Sequence, residues 1–356
     1  MRRPRVLRSL VILLISVGMT GSVAACTVTF TTVDRRASPR PAVLPEPPEL
    51  DTAAEVWPEA TFTLPTRLGN GLDVQPVAML DTDEVLMITP FALARFVVYD
   101  RRTKKHRVLA TAPKWGECDL CYDIKSVAVS RTRIAWTAEI YRSEPWNAGK
   151  RHMELWTMPR SGGPMRLVTW LTGHGDVRFE DSLVIEGDHA VWDGGHDGYR
   201  VPLTGGKADR LPGSFALLDP ESRNCGAEWC AQQLPPRPYE LTTVAVERKD
   251  GSGRTTVAAT GGPLIGDRFG LFGPPHVYDD GPVYISGGRT EPSAVVYDRC
   301  TGRSAWAGAD GADDSSEGVK QGARGTDDPI LFWLEPGGRR YAVVDLSRIP
   351  DWFCVP

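Results

Sequence analysis

Long stretches with apolar residues at helical spacing are almost missing from this 356-residue chain, which leaves no basis for a helical bundle or for a sheet covered by amphipathic helices. Also missing are an HExxH pair, a G-x-S-x-G elbow, a Walker loop and a dinucleotide fingerprint after a strand, so the common metal, acyl-transfer and nucleotide chemistries have no motif to stand on. The apolar run at residues 10–19 (LVILLISVGM) falls well short of the roughly 20 residues a membrane-spanning helix needs. No basic patch offers itself to a phosphate backbone, and nucleic acid is excluded as a partner.

What is present begins with an export signal. Arg2, Arg3 and Arg5 precede the apolar run, and the small residues Val23, Ala24 and Ala25 follow it and end at Cys26. A basic start, a short apolar core and small residues at its end mark a cleaved signal peptide over residues 1–25. The tetrad Val23-Ala24-Ala25-Cys26 resembles the lipobox of bacterial lipoproteins, and that resemblance implies acylation of Cys26, with palmitate among the chains, and an extracytoplasmic protein anchored to the outer face of the cell membrane. A plain secretory signal cleaved near Ala25 and an uncleaved anchor are the competing readings. Removal of residues 1–25 takes four arginines and leaves 37 basic against 45 acidic side chains, a net charge near -8.

About 330 residues remain, enough for a large core. Residues 26–59 read as a tether, because the prolines of 40–48 (RPAVLPEPP) favour extended backbone. From residue 60 to 356 the chain carries short β-branched and aromatic runs between Gly, Pro and Asp: 85–88, 96–99, 126–129, 134–136, 283–285, 294–297, 330–334 and 341–344. Such runs suit pleated surfaces, and the chain is all-β.

The runs repeat. The last residue of a strand before a polar turn falls at Asp100, Pro159, Pro202, Glu247, Asp298 and Asp345, at intervals of 59, 43, 45, 51 and 47 residues. One propeller blade consumes about that length of chain, and five intervals imply six copies. Upstream of most anchors lies a second run, often with a tryptophan: 127–136, 182–192, 278–285 and 329–333. Two hairpins per unit make a four-stranded sheet, and a ring of such sheets covers both faces of each. The tryptophans Trp136, Trp192 and Trp333 are then packing between blades. The last unit is one strand short, and the strand-like 60–65 (ATFTLP) has no partner of its own, so it is predicted to complete the final blade and close a six-bladed β-propeller. A seventh blade stays open, since residues 213–243 have room for one more hairpin.

The Val98-Tyr99-Asp100 and Val296-Tyr297-Asp298 turns, with Thr103 or Thr301 after them, together with the lipid-type signal, resemble bacterial exported β-propellers of the TolB-like or WD40-like kind over residues 60–350. Gly173-His174 and Trp192-Asp193 do not fall into the frame of strict WD repeats. The resemblance implies a binding platform, sometimes carrying catalysis, and the fold does not choose between them.

Besides Cys26 there are six cysteines, Cys118, Cys121, Cys225, Cys230, Cys300 and Cys354. An even number in an exported chain reads first as disulfides: Cys118 with Cys121, Cys225 with Cys230, and Cys300 in the fifth turn with Cys354 in the tail. Cys118-Asp-Leu-Cys121 also has the spacing of a redox dithiol and of half a zinc site. Against the first, it is followed by a turn into a strand rather than a helix. Against the second, Cys225 and Cys230 belong to another blade, and an oxidising compartment disfavours free thiolates.

Six histidines, His106, His152, His174, His189, His196 and His276, form no ligand pair. The densest polar patch, 189–199 with His174 and Asp176 upstream, reads as a hairpin turn in which Asp and Gly supply positive φ, and secondarily as a metal or proton-relay site. Adjacent acids such as Asp279-Asp280 do not set the separation that glycosidases require. Two segments exceed the compact pattern: acidic 308–328, read as a solvated insertion or a lip over one face, and 141–152, which lengthens the second blade. On the latter, Trp146 is the aromatic expected to contact a partner. The sequence thus points to a non-catalytic propeller that needs no metal or cofactor and binds an envelope protein, peptide or glycan. The alternative is an envelope-carbohydrate hydrolase or lyase with its site in the central channel.

Overall fold

The computed structural model describes residues 45–89, 94–112, 122–140, 152–172, 183–193, 198–211, 224–235, 237–277, 294–308, 318–324, 329–350 and 354. A single helical turn, α1 (Ala53–Val56), is capped by Thr52 and Glu55 in a reciprocal capping box. It leads into β1 (Thr61–Pro65).

Five four-stranded antiparallel meanders follow. They comprise β2 (Gln75–Met79), β3 (Glu84–Ile88), β4 (Arg95–Asp100) and β5 (His106–Thr111); β6 (Tyr122–Val129), β7 (Arg133–Ile140), β8 (His152–Pro159) and β9 (Arg166–Thr172); β10 (Val184–Glu186), β11 (His189–Asp193), β12 (Gly198–Pro202) and β13 (Asp209–Leu211); β14 (Asn224–Cys225), β15 (Trp229–Gln233), β16 (Thr243–Arg248) and β17 (Thr255–Ala258); and β18 (Leu264–Ile265), β19 (Phe269–Phe272), β20 (Ala294–Asp298) and β21 (Arg303–Ala307). The sixth sheet takes β22 (Lys320–Gln321), β23 (Ile330–Leu334) and β24 (Arg340–Asp345) from the end of the chain and β1 from its beginning. These are six blades of a β-propeller, and the extra hairpin between 213 and 243 is the inner pair β14–β15 of the fourth blade rather than part of a seventh.

The third strands are apolar without alternation because a neighbouring blade covers each of their faces. In β4, Phe96, Val97, Val98 and Tyr99 are all buried, whereas the outer strand β5 keeps Arg107 and Val108 in solvent. Each blade is fastened in the same way. The residue after the third strand donates its N–H to the carbonyl just before the second strand: Arg101 to Asp83 at 2.8 Å, Arg160 to Thr132 at 2.8 Å, Leu203 to Asp188 at 2.7 Å, Lys249 to Glu228 at 2.9 Å, Arg299 to Arg268 at 3.0 Å and Leu346 to Pro329 at 3.0 Å. By this criterion five predicted anchors coincide with the ends of the third strands, and the fourth moves one residue, from Glu247 to Arg248.

Apolar clusters fill the seams between blades. Trp136 packs with Phe96 and Val77 between the first and second blades, and Trp192 with Ala135 and Leu155 between the second and third. Trp229 lies between the fourth and fifth blades, and Trp333 with Phe269 between the fifth and sixth. These four tryptophans are therefore packing residues, as expected of Trp136, Trp192 and Trp333.

Three expectations need correction. The tether does not run to residue 59: Ala53, Val56 and Trp57 are buried in the seam of the fifth and sixth blades, and Trp306 donates its N–H to the Asp51 carbonyl at 2.9 Å. Among the described residues, 45–49 retain the exposed character of a spacer; proline content disfavours regular ladders without preventing burial of the apolar residues that follow. The run 278–285, expected as the second strand of the fifth blade, lies outside the described residues; that position is taken by Phe269–Phe272, which pairs with one side of β20 while Arg303–Ala307 pairs with the other. Finally, 308–328 is not a mere insertion, since it carries β22 and the buried Ala323.

Candidate functional site

In an antiparallel meander the turns after the first and third strands share one end of the blade, and the starts of the first strands share the other with the turns between second and third strands. A cavity of about 650 Å³ opens at the latter end. It is lined by Gln75 at the start of β2, Thr89 and Ala94 after β3, residues 122–127 of β6, Pro263 and Leu271 of the fifth blade, and 319–324 of the sixth.

Its inner boundary comes from a departure of the chain from blade geometry. After β22 the backbone leaves its blade and runs along the next two: Ala323 donates to the Val77 carbonyl of the first blade at 2.6 Å, and Arg324 bridges in parallel to Ala128 of the second. Gly322 makes the crossing possible, because a Cβ at that position would overlap the Val77 carbonyl oxygen.

The charged part of the wall is built on β6 and β7. Asp123 lies directly opposite Glu139 in the ladder, a like-charge pairing that would repel by itself. Between Ile124 and Ser126 the register shifts, so Lys125 is the extra residue of a bulge. Its ammonium sits 2.7 Å from Asp123 Oδ2 and 3.2 Å from Glu139 Oε2, joining the two carboxylates. Glu139 is buried, and Lys125 is largely shielded from solvent. Lys320 and Arg324 also line the cavity, each engaged by a neighbouring group.

Below this wall Tyr122 turns its ring into the seam with the first blade, where its hydroxyl accepts from Trp136 Nε1 at 2.8 Å. Burial pushes this phenol well above its ordinary range; the Trp136 hydrogen bond pulls the other way, and the carboxylate of Glu154 adds to the rise. Glu154 itself is fully buried and accepts from Trp156 Nε1 at 2.7 Å.

The residues expected to carry chemistry are placed elsewhere. His106 lies on the outer strand β5 and His276 after the fifth blade's second strand, and neither lines the cavity. His189 is held near Arg200, with Nδ1 3.3 Å from its guanidinium. Trp192 and Tyr199 stack across the β11–β12 hairpin at 5.6 Å, consistent with the turn reading of that patch. Disulfides join Cys225 to Cys230 and Cys300 to Cys354. Both belong to the end of the ring opposite the cavity and act on turns. Cys26, Cys118, Cys121, Trp146, His174 and His196 lie outside the described residues, and His152 opens β8. Among the described residues, no group of three or more His, Cys, Asp or Glu is arranged to hold a metal ion.

The sequence reading passed over Gln75, Asp123, Lys125, Glu139 and Gln321. Asp123 and Lys125 were visible as charges at the start of an otherwise apolar first strand, where a half-buried inner strand has no structural use for them. Gln75 and Gln321 carried no such signal.

No protein-family model matches this sequence, and no curated protein matches it. Solved structures with similar folds include the acylaminoacyl peptidase of Pyrococcus horikoshii, at 11% identity and a TM-score of 0.37, over 73% of this chain and 42% of that one. The β-propeller domain of the Trilobed protease from Pyrococcus furiosus gives 10% identity and 0.34, over 79% and 83%. A putative TolB from Agrobacterium tumefaciens gives 15% and 0.31, over 76% and 89%. The chain thus spans less than half the length of the acylaminoacyl peptidase.

Proposed function

We propose that this chain is an exported binding propeller, acylated at Cys26 and held by its proline-rich spacer at the outer face of the bacterial cell membrane, and that it binds an envelope protein, peptide or glycan without catalysis or cofactor. The observation that carries the binding role is the cavity at the end of the ring where the second-to-third-strand connections emerge. It brings Asp123, Lys125, Lys320, Arg324 and two glutamines together with apolar side chains on one concave surface, and convergent polar groups in a cleft are what a ligand site needs. Ile140 and His152 pair with each other at that same end, and Trp146, which falls between them in the sequence, is the kind of aromatic that anchors partner contacts. The basic start, the apolar run 10–19 and the residues preceding Cys26 support export and acylation.

The test uses the full chain in its own membrane. A photo-crosslinking residue at Gln321 is expected to capture one defined partner, with capture reduced by Trp146→Ala. A radiolabelled fatty acid is expected to enter the wild type and not Cys26→Ser. Turnover of an envelope glycan by the purified protein, without a captured partner, would reverse the reading in favour of a hydrolase or lyase.

A further inference from the structure

Resting on that reading, we infer that the cavity takes a small anionic ligand, which presents an oxyanion, a carboxylate or a phosphate, to its wall. The first ground is charge. Among the described residues, Lys125, Lys320 and Arg324 line the cavity against the single lining carboxylate of Asp123. Glu139 is buried and does not line it, but it reaches Lys125 at 3.2 Å, and counting it still leaves three cations against two anions. The chain as a whole runs the other way, with 41 basic and 45 acidic side chains. Positive excess is thus a local property of this concavity, and a concave wall of one sign focuses its field on a counter-ion.

The second is the way these groups are held. Lys125 is the extra residue of a bulge, a device that re-aims a side chain, and Asp123 and Glu139 fix its ammonium at 2.7 and 3.2 Å. Lys320 belongs to β22, Arg324 bridges Ala128, and between them Ala323 donates to the Val77 carbonyl, so both cationic side chains leave a fixed backbone. Gln75 and Gln321 carry amide N–H donors, and Thr89 and Ser126 add hydroxyls; these can share an oxyanion without adding charge. Donors held in advance cost little ordering entropy when the ligand arrives.

The third separates a small anion from a peptide strand. Three inner strands present an edge to the cavity, and each edge is short or interrupted. In β2, Pro76 has no N–H, the register shifts between Pro76 and Ala78, and the Val77 carbonyl already accepts from Ala323. β22 is two residues long. β6 is bulged at Lys125, and its Ala128 is bridged to Arg324. An added peptide strand needs a continuous row of backbone donors and acceptors, whereas a cavity of about 650 Å³ has the size of a small-molecule site.

The full chain is to be titrated calorimetrically with succinate, citrate and inorganic phosphate, and with the uncharged succinamide, the diamine putrescine and acetylated, amidated trialanine. At least one of the three anions is expected to bind, the preferred one showing whether the oxyanion is a carboxylate or a phosphate. Succinamide, putrescine and the blocked peptide should each be weaker by at least about tenfold, and anion affinity should fall with added salt. Lys320→Gln and Arg324→Gln should each weaken the anion by about tenfold, and Lys320→Arg and Arg324→Lys should restore most of the loss. Asp123→Asn removes the lining carboxylate and should tighten the anion by about threefold; a cation site responds with the opposite sign. Val108→Ala on the distant outer strand should leave binding unchanged. Equal or tighter binding of succinamide, putrescine or the peptide overturns the inference. So does the absence of anion binding to about 10 mM, or anion binding that Lys320→Gln and Arg324→Gln leave unchanged. If no anion binds and Gln321 still crosslinks a partner in the membrane, the anion class falls and the binding role stands; if no partner is captured either, both fall.

Discussion

Phe62 lies directly across the ladder from Val343, 281 positions further along the chain, in a register that runs from Thr61 opposite Val344 to Pro65 opposite Arg340. The two ends of the polypeptide thereby share one blade, and the ring closes by hydrogen bonds between its first and last strands. Leu64, in the same strand, is 1% exposed and packs with Val85, Phe332 and Val343 in the seam of the sixth and first blades. Leu64→Ala should cost about 2–5 kcal/mol, read as a lower denaturant midpoint. The outward Thr63→Ala should change it by less than about 0.5 kcal/mol.

The Cys300–Cys354 bridge closes 54 residues, whereas Cys225–Cys230 closes five across one hairpin. In the chain-entropy account the long loop contributes about 4 kcal/mol and the short one about 2. Cys354→Ser should therefore lower the midpoint more than Cys230→Ser. Equal losses would show that local packing, rather than loop length, sets the contribution of each bridge.

Beside that bridge, Asp298 is fully buried and receives Arg268 through two bonds of 3.0 Å, while Arg268 also donates to the carbonyls of Ile349 and Pro350. Arg268 thus ties the turn of the fifth blade to the tail leaving the sixth. Asp298→Ala strands a partly buried guanidinium and should cost about 3–5 kcal/mol. Pairing it with Arg268→Met should recover part of that loss in a double-mutant cycle.

Tyr122 gives the stability an alkaline limit. Burial, partly offset by the Trp136 hydrogen bond, raises the phenol in the folded chain, while the unfolded chain releases its proton near about pH 10. The folded state then holds more protons than the unfolded one above that pH, and stability declines as pH rises from there toward the folded value. Absorbance at 295 nm should show Tyr122 ionising only with unfolding, after the exposed tyrosines, and Tyr122→Phe should remove that step.

Gly322→Ala places a methyl group against the Val77 carbonyl at the point where the sixth inner strand leaves its blade. Forced displacement of this kind costs about 1–3 kcal/mol. Thermal unfolding should register the loss, and because Lys320 and Gln321 precede the crossing, ligand binding should weaken in parallel.

Strands that are buried on both faces announced themselves. The runs FVVYD, AVVYD and YAVVD are continuous and apolar, and their turns begin with an aspartate whose carboxylate accepts backbone N–H groups, as Asp100 does from Arg102 and Thr103. Their spacing was enough for six blades, for the closing strand at Phe62 and for the packing role of the tryptophans. Three of the first strands stayed hidden for the opposite reason. Lys320–Gln321, Asn224–Cys225 and Leu264–Ile265 are two residues long, too short for a period, and they become strands only because a longer neighbour offers its edge.

Local sequence therefore determined the repeat, the class of fold and the ends that must meet, since alternation, turn chemistry and a missing strand are properties of nearby residues. Tertiary structure alone decided the site. Gln75, Lys125 and Gln321 come together because three inner strands converge at one mouth, and Lys125 is set between Asp123 and Glu139 by a one-residue shift in a ladder. Proximity between distant segments depends on how blades pack round the ring, and no short stretch of chain encodes that distance.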